Sequence, residues 1–212
     1  MPTIAILNQK GGAGKTTIAT NIAHALQLEG SKVLLVDSDL QGSATDWSEA
    51  NEAKLLPVIS LARKNQLENV KAVSGDYDWV VIDGAPQVKE MSAAAVKVAD
   101  LVVIPVQPSP YDIWATADLV EIINARRDVT GGKPKAAFLI SRAIRNTKLG
   151  KEITEALESY GLPVLKSGTM QRVAYPTTAS EGKTVFEESS SEAAKEVRAI
   201  VEEIKEFIKH GA

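Results

Sequence analysis

The 212-residue chain contains no cysteine, which excludes disulfide bonds, thiolate metal sites and iron–sulfur clusters held by cysteine. No apolar run approaches the roughly 20 residues that a membrane-spanning helix requires. The formal net charge is only −3, so any binding to nucleic acid must come from a local basic patch. Because the first residues run directly into a predicted strand, we expect no signal peptide and a cytoplasmic protein.

The rest of the composition is typical of a soluble globular protein, with 44% hydrophobic and 24% charged residues. Apolar runs alternate with amphipathic segments, which predicts a doubly wound α/β fold: a mostly parallel sheet with helices on both faces. At this length we expect one domain over residues 1–212. The predicted strands are residues 3–8, 32–37, a short one near 58, 78–83, 101–106, 135–141 and 163–167. The predicted helices run from 16 to a stop at 30, then over about 44–53, 61–73, 113–127, 147–160 and 191–209, with an irregular segment at 170–186.

A glycine-rich turn, here called the phosphate loop, lies between the first strand and the first helix at residues 8–17 (Asn-Gln-Lys-Gly-Gly-Ala-Gly-Lys-Thr-Thr). In this context backbone N–H groups cradle the phosphates of a nucleotide, a lysine adds positive charge and a hydroxyl binds Mg²⁺. The alternative is a turn with surface lysines, but the flanking strand and helix favour the phosphate site. The predicted nucleotide-binding residues are Lys10, Gly11, Gly12, Ala13, Gly14, Lys15, Thr16 and Thr17.

Three acidic residues lie at or just beyond the carboxyl ends of predicted strands, where the phosphate loop must also lie. Asp83 follows the apolar run 79–82, and Asp37 and Asp39 end the second strand. Phosphoryl transfer to water needs a metal-coordinating acid and a group that orients the attacking water. We assign Asp83, Asp37 and the hydroxyl of Thr16 to Mg²⁺ and Asp39 to the water; the alternative for each acid is a helix cap or a turn.

These motifs together resemble the ParA/MinD family of P-loop ATPases. Residues 10–17 match that family's deviant Walker A motif, and residues 36–42 (Val-Asp-Ser-Asp-Leu-Gln-Gly) resemble its Walker A′ segment, with leucine where proline is common. Residues 80–83 resemble its Walker B strand, and residues 104–110 its proline-containing loop near the nucleotide. The resemblance covers essentially the whole chain, and the lack of an extension before the first strand is similar to short, ParF-like plasmid partition proteins.

The resemblance implies ATP and ADP as ligands, Mg²⁺ as cofactor, and slow hydrolysis of ATP to ADP and phosphate. It gives Lys10 a role across an ATP-bound homodimer, where the lysine contacts the phosphates of the partner's nucleotide. Lys10, Lys15 and Asp39 are then the catalytic residues, and Pro108 lies near the nucleotide. Asp112 either contacts the interface or nucleotide, or caps the helix that follows.

The resemblance also implies non-specific DNA binding through scattered basic residues. Taken singly, each of these side chains fits a solvated surface charge better than a DNA contact. The best single candidate is Arg172. The full set of predicted DNA contacts is Arg142, Arg145, Lys148, Arg172 and Lys183.

We therefore expect a ParA-type partition ATPase that associates with the nucleoid when it binds ATP. A small ParB/ParG-like DNA-binding adaptor would stimulate hydrolysis, and the cargo would be a plasmid, a chromosome or another assembly. The alternative is a MinD-like ATPase that cycles on membranes to place the division site or flagella. The predicted last helix has acidic and basic residues in balance, which disfavours binding to anionic lipid, so we expect no membrane partner.

Overall fold

The computed structural model describes residues 1–144 and 149–210, without the side chains of residues 149–151. Within them the chain forms one sheet whose strands are all parallel, in the order β3-β2-β4-β1-β5-β6. This confirms the predicted fold class. The strands are β1 Thr3–Ile6, β2 Val33–Asp37, β3 Val58–Ser60, β4 Trp79–Asp83, β5 Leu101–Val106 and β6 Lys135–Ile140.

Helices connect the strands and cover both faces of the sheet. They are α1 Lys15–Leu28, α2 Ser43–Glu49, α3 Lys64–Glu68, α4 Val70–Val73, α5 Lys89–Val98, α6 Pro110–Trp114, α7 Ala117–Thr130, α8 Leu149–Glu158, α9 Ala174–Ser180 and α10 Glu192–His210, with a 3₁₀ turn at Val185–Glu188. None of the described helices is long and apolar enough to cross a bilayer.

The central strands are buried on both faces, which explains their nearly continuous apolar sequences. On β1, Ile4 and Ile6 pack into the apolar layer under α1 and α10, whereas Ala5 packs into the layer under α5 and α7. The apolar stripe of α10, from Ala193 through Val197 to Ile204, belongs to the first layer. This stripe is therefore used for core packing, as the sequence analysis favoured over membrane binding.

Several predicted elements differ from the structure. The predicted strand at 163–167 is reduced to one bridge between Phe138 and Val164. The predicted helix at 113–127 is divided into α6 and α7, and the one at 61–73 into α3 and α4. Helix α5 was not predicted, and α9 lies within the segment predicted to be irregular.

The strand order brings the carboxyl ends of β1, β2 and β4 together. Asp83, at the end of β4, pairs in register with Ile6 of β1 on one side and with Asp37 of β2 on the other. Since α1 follows β1 through the phosphate loop, the topology places this loop beside both carboxylates. The sheet thus has the ligand edge that parallel α/β folds provide at strand ends.

Gly182 joins the segment after α9 to the end of α2, and replacing it with alanine should destabilise the fold. Its φ of +64° is left-handed, and an added Cβ would lie 2.6 Å from the backbone oxygen of Trp47 and 2.6 Å from the backbone nitrogen of Asn51. We expect Gly182→Ala to lower the free energy of unfolding by roughly 2–4 kcal/mol in urea titrations.

Gly75→Ala is the matched control, because a Cβ there meets nothing within 4 Å and its φ is not left-handed. Equal stability of the two variants would contradict the close contact at Gly182.

Candidate nucleotide-binding site

The phosphate loop has the backbone shape that binds anions. Gly12 and Gly14 have left-handed φ values of 76° and 93°. A Cβ at either would meet nothing within 4 Å, so backbone conformation rather than lack of space requires glycine. Gly14 caps α1 without a side-chain hydrogen bond, which leaves the first N–H groups of a 14-residue helix available to a phosphate.

Strand β5 holds the start of the loop through Asn8. This buried side chain donates through Nδ2 to the carbonyl of Pro105 at 2.7 Å, and its Oδ1 accepts from the backbone N–H of Lys10 at 2.8 Å. These two bonds fix the position of the Lys10 backbone at the start of the phosphate loop.

The far side of the loop is held by polar side chains beyond β5 and β6. Gln107 Nε2 donates to the carbonyl of Gly12 at 2.8 Å. The hydroxyl of Ser141 donates to the carbonyl of Ala13 at 3.1 Å. Both bonds use carbonyl oxygens of the loop and not the N–H groups that an anion would need.

Lys15 lies at the start of α1 with its ammonium group directed back into the loop. Its Nζ donates to the carbonyl of Lys10 at 3.1 Å, and the residue is only 7% exposed. Burial lowers the pKa of Lys15, and the charges of Asp83 and Asp39 oppose that shift. A buried cation enclosed by a glycine loop is suited to bind a phosphate group.

Asp83 links β4 to the phosphate loop. Its Oδ2 accepts a hydrogen bond of 2.6 Å from the hydroxyl of Thr16, and the residue is 1% exposed. Burial raises the pKa of Asp83 to about 7; the Thr16 hydrogen bond lowers it and the charge of Asp37 raises it further. The second oxygen, Oδ1, is buried without a hydrogen-bond partner among the described residues.

This arrangement fits Mg²⁺. The ion prefers oxygen ligands and is usually held in NTPases by one or two protein groups together with phosphates and water. Thr16 and Asp83 offer such oxygens side by side, and an ion there would satisfy the unpaired Oδ1 of Asp83. Among the described residues no group of three or more histidine, cysteine or acidic side chains is placed so that it could hold a metal ion by itself.

Asp37 is fully buried and holds the loop after β2. Its Oδ2 accepts from the backbone N–H and the hydroxyl of Thr45, both at 2.9 Å, and its Oδ1 accepts from the N–H of Asp39 at 3.1 Å. These bonds fix the start of α2 relative to the site. Asp37 thus has a structural role of its own, and its place in the metal shell stays a prediction.

Asp39 is half-buried beyond the end of β2. Its Oδ1 accepts from the backbone N–H of Gln41 at 3.0 Å, which forms a local turn. The charge of Asp39 acts on both Lys15 and Asp83, so it lies in the same electrostatic environment as the phosphate loop. Its role in orienting water stays a prediction.

Lys10 forms an ion pair within its own subunit. Its Nζ lies 2.6 Å from Oδ2 of Asp112, with the lysine side chain 40% exposed and the aspartate 3% exposed. Helix α6 is capped at Ser109, so Asp112 is not its cap; the carboxylate binds Lys10 instead. Pro108 lies in the loop between β5 and α6, half-buried beside Gln107, and its contact with nucleotide stays a prediction.

A cavity of about 860 Å³ opens beside the phosphate loop. It runs from Gly14 and Thr17 past residues 141–144 to residues 169–173, and ends at Tyr175 and Pro176. Cavities that bind small molecules have this size and are largely apolar. The cavity begins where α1 starts, so it is the natural place for the base and ribose of a nucleotide whose phosphates lie in the loop.

Arg172, the favoured DNA contact, borders this cavity in an ion pair. Its Nε and an Nη atom lie 2.8 and 2.6 Å from Oε1 of Glu196, and Oε2 of Glu196 accepts from the hydroxyl of Tyr175 at 2.9 Å. The Arg172 side chain is 25% exposed. A phosphate contact by Arg172 would compete with this pair.

The other predicted DNA contacts have different surroundings. Arg142 is exposed at the end of β6, and Lys183 pairs with Glu181 at 2.9 Å and Glu187 at 3.5 Å. Arg145 and Lys148 lie outside the described residues. All of these contacts stay predictions.

Sequence reasoning missed several residues that shape the site. Gly84 follows Asp83 where a Cβ would lie 2.4 Å from Leu7 and 2.7 Å from the carbonyl of Ile6, so a side chain there would separate β4 from β1. Its position directly after a strand-end acid was a usable signal. The roles of Gln107 and Ser141 depend on contacts between distant segments and left no local signal.

Comparison with known proteins agrees with this geometry. The CobQ/CobB/MinD/ParA nucleotide binding domain family matches residues 4–185. A relative from Halothiobacillus neapolitanus, the maintenance of carboxysome distribution protein A, is 33% identical over 95% of this chain and 95% of its own. The sporulation initiation inhibitor protein Soj of Bacillus subtilis is 26% identical over 86% of this chain and 89% of its own.

Solved structures show the same fold. A variant of Cyanothece McdA in complex with ATP aligns with a TM-score of 0.79 at 18% identity, over 97% of this chain and 96% of its own. The MinD cell division protein of Aquifex aeolicus aligns with a TM-score of 0.73 at 18% identity, over 97% and 98%.

Asp83→Asn should stabilise the protein without nucleotide, and more so at alkaline pH. The folded-state pKa of about 7 lies above the ordinary value of 3.8, so ionising this carboxyl opposes folding increasingly as pH rises between those values. Asparagine carries no charge. We expect its gain in stability to be larger at pH 8 than at pH 5, by on the order of 2 kcal/mol, in thermal unfolding at both values.

Asp83→Asn should also remove the magnesium dependence of nucleotide affinity. Asp76→Asn, at an exposed acid before β4, is the control for loss of a carboxylate. A gain that is equal at pH 5 and pH 8 would refute the raised pKa of Asp83.

Proposed function

The chain belongs to the CobQ/CobB/MinD/ParA family of nucleotide-binding domains, and on that basis we propose that it is a ParA-type positioning ATPase. In this proposal ATP binding drives formation of a homodimer, the dimer binds DNA without sequence preference, and a partner protein on the cargo stimulates slow hydrolysis. The observation that carries the proposal is the placement of Lys10 at the mouth of a fully built phosphate site, held by Asp112.

The phosphates of ATP accept hydrogen bonds from the N–H groups of the loop and from the ammonium group of Lys15. Lys15 then donates to a phosphate oxygen in place of the Lys10 carbonyl. Thr16 and Asp83 would hold Mg²⁺, with Asp37 as a further predicted ligand. When bound, the ion would supply positive charge beside the phosphates. The base and ribose occupy the cavity of about 860 Å³ beside Gly14 and Thr17.

Lys10 couples nucleotide to dimerisation. In the isolated subunit it pairs with the buried Asp112, and its side chain is 40% exposed. Without nucleotide, Lys10 keeps this partner, and a second copy offers it no additional anion. ATP adds negative charge between the two copies, which attracts Lys10 of the opposite copy and makes association depend on the nucleotide.

Hydrolysis requires an oriented water, and we assign this role to Asp39. Its Oδ1 accepts from the N–H of Gln41, which leaves Oδ2 to accept a hydrogen bond from a water molecule and so orient it. Asp39 is half-buried and lies in a turn closed by the N–H of Gln41, so slow hydrolysis is expected of the subunit by itself. A partner protein would accelerate hydrolysis by fixing the conformation of this turn. The ATP-bound state then persists until the cargo arrives.

The cargo is bound through an adaptor that carries the stimulating segment. Relatives in this family are named for carboxysome distribution and for chromosome partitioning. A protein assembly or a DNA molecule bound to a small DNA-binding adaptor therefore fits the same ATPase. The apolar stripe of α10, buried in the core, supports binding to the nucleoid over a membrane cycle.

We expect Lys10→Ala to bind ATP with near-normal affinity but to remain a monomer with ATP and Mg²⁺. The phosphate loop and Lys15 remain, but the cation that reaches the second nucleotide is lost, with its contribution of order 10³ or more to the stimulated rate. Size-exclusion chromatography with light scattering measures the mass, and Lys71→Ala, an exposed lysine on α4, is the control. A normal ATP-dependent dimer in Lys10→Ala would refute its role across the interface.

A pair of variants tests Arg172 as a DNA contact. Glu196→Gln releases Arg172 from its ion pair, so it should strengthen non-specific DNA binding severalfold. Arg172→Gln should weaken binding to every sequence and reduce the salt slope by about 1. Fluorescence anisotropy with labelled duplexes measures both, and identical affinities for the two variants would remove Arg172 from the DNA surface.

A further inference from the structure

Exposed large apolar side chains lie at both edges of the sheet, and six of them surround the phosphate loop. Among the described residues, ten large hydrophobic side chains are exposed. Four of them precede strands at the amino edge, and six follow strands at the carboxyl edge, around the phosphate loop. The six are Leu40, Val88, Tyr111, Trp114, Ile144 and Val173.

Two cavities account for four of the six. Ile144 and Val173 line the large cavity beside Gly14. Leu40 and Val88 line a smaller one of about 320 Å³ next to Asp39. Tyr111 and Trp114, which are 73% and 64% exposed, lie outside both.

Tyr111 and Trp114 form a ready-made aromatic surface. Their rings meet edge to face, with centroids 5.5 Å apart and an interplanar angle of 77°. Such a pair limits the freedom that each ring would lose on binding. Tyrosine and tryptophan are also the residues that most often dominate protein–protein interfaces.

The position of the pair indicates what covers it. Asp112 lies between the two aromatics in α6 and points inward to Lys10, while the rings point outward. A second copy that Lys10 reaches must therefore approach α6 itself. The two aromatic side chains therefore lie on the same surface that a second copy in contact with Lys10 would cover.

The charge of this surface argues against other occupants. From Gln107 to Ala117 the only charged residue is Asp112, which is buried. The segment has no cation for DNA phosphate or anionic lipid. A neutral aromatic surface instead suits an identical surface brought to it by a two-fold axis.

We propose that Tyr111 and Trp114 are the apolar anchor of the ATP-dependent dimer and pack against a second copy of this chain. This inference rests on the proposed function, because it needs ATP to bring the two copies together. Tyr111 and Trp114 provide apolar contact area in the dimer, whereas Lys10 makes dimerisation depend on bound nucleotide.

The experiment compares the unaltered chain with Trp114→Ala in a slowly hydrolysed ATP analogue and Mg²⁺. At protein concentrations too low for dimerisation, binding of a fluorescent ATP analogue should be unchanged, since Trp114 lies outside the phosphate loop. The dimer dissociation constant, from sedimentation velocity over a dilution series, should rise at least about tenfold, since each copy loses one anchor. Val129→Ala, an exposed apolar residue at the opposite edge, should leave it unchanged.

A second measurement uses Trp114 as its own reporter. The fluorescence of Trp114 is the part of the tryptophan emission that is lost in Trp114→Phe. Acrylamide should quench this fluorescence less when the ATP analogue is bound than when ADP is bound. The protection should increase with protein concentration. If the unaltered chain stays monomeric with the analogue, the proposed function fails, and this inference with it. If it dimerises while Trp114→Ala dimerises equally well, or if Trp114 is protected only by added DNA or vesicles, this inference alone is overturned.

Discussion

A carboxylate buried at the end of a central strand is the constraint on which this site depends. Asp83 is 1% exposed, yet it lies between β1 and β2, next to the carboxylate of Asp37. A buried charge must be compensated by hydrogen bonds or opposite charge. The Thr16 hydroxyl and the charge of Lys15 provide that compensation, and both belong to the phosphate loop. The loop, the sheet edge and the expected magnesium ligands are thus a single electrostatic unit.

Two ion pairs define how this unit could change state. Lys10 is held by Asp112, and Arg172 is held by Glu196. In both pairs the acid is the more buried partner, so moving the cation away exposes the acid to a desolvation cost unless another charge replaces it. A phosphate attracts the cation but does not replace it beside the acid, so phosphate binding must offset this cost; we propose nucleotide phosphate in this role for Lys10 and DNA phosphate for Arg172. Both ion pairs therefore stabilise the isolated subunit, and we expect each cation to leave its acid only when a ligand binds.

The sequence predicted the parts of the site that depend on local chemistry. The order Gly-Gly-Ala-Gly-Lys-Thr after an apolar run predicted the phosphate loop. The place of Asp83 after a buried strand predicted a position beside that loop, and the structure has its carboxylate bonded to Thr16. The comparisons confirm the family, and the strand order confirms the fold class.

What the sequence could not show depends on contacts between distant segments. Asp112 lies 102 residues from Lys10, and nothing local distinguishes an acid that caps a helix from one that pairs with a lysine. Glu196 lies 24 positions from Arg172, beyond α9 and the 3₁₀ turn, and no local pattern in the sequence indicates that the two residues pair. The division of α6 from α7 was missed because the apolar periodicity continues across Thr116.

The central claim is that ATP, and not ADP, joins two copies of this chain. Sedimentation equilibrium of the unaltered protein in Mg²⁺ tests it directly, with ADP in one cell and a non-hydrolysable ATP analogue in the other. The account predicts the monomer mass of 22.7 kDa with ADP and twice that mass with the analogue. The same mass in both cells, at nucleotide concentrations that saturate binding, would contradict it.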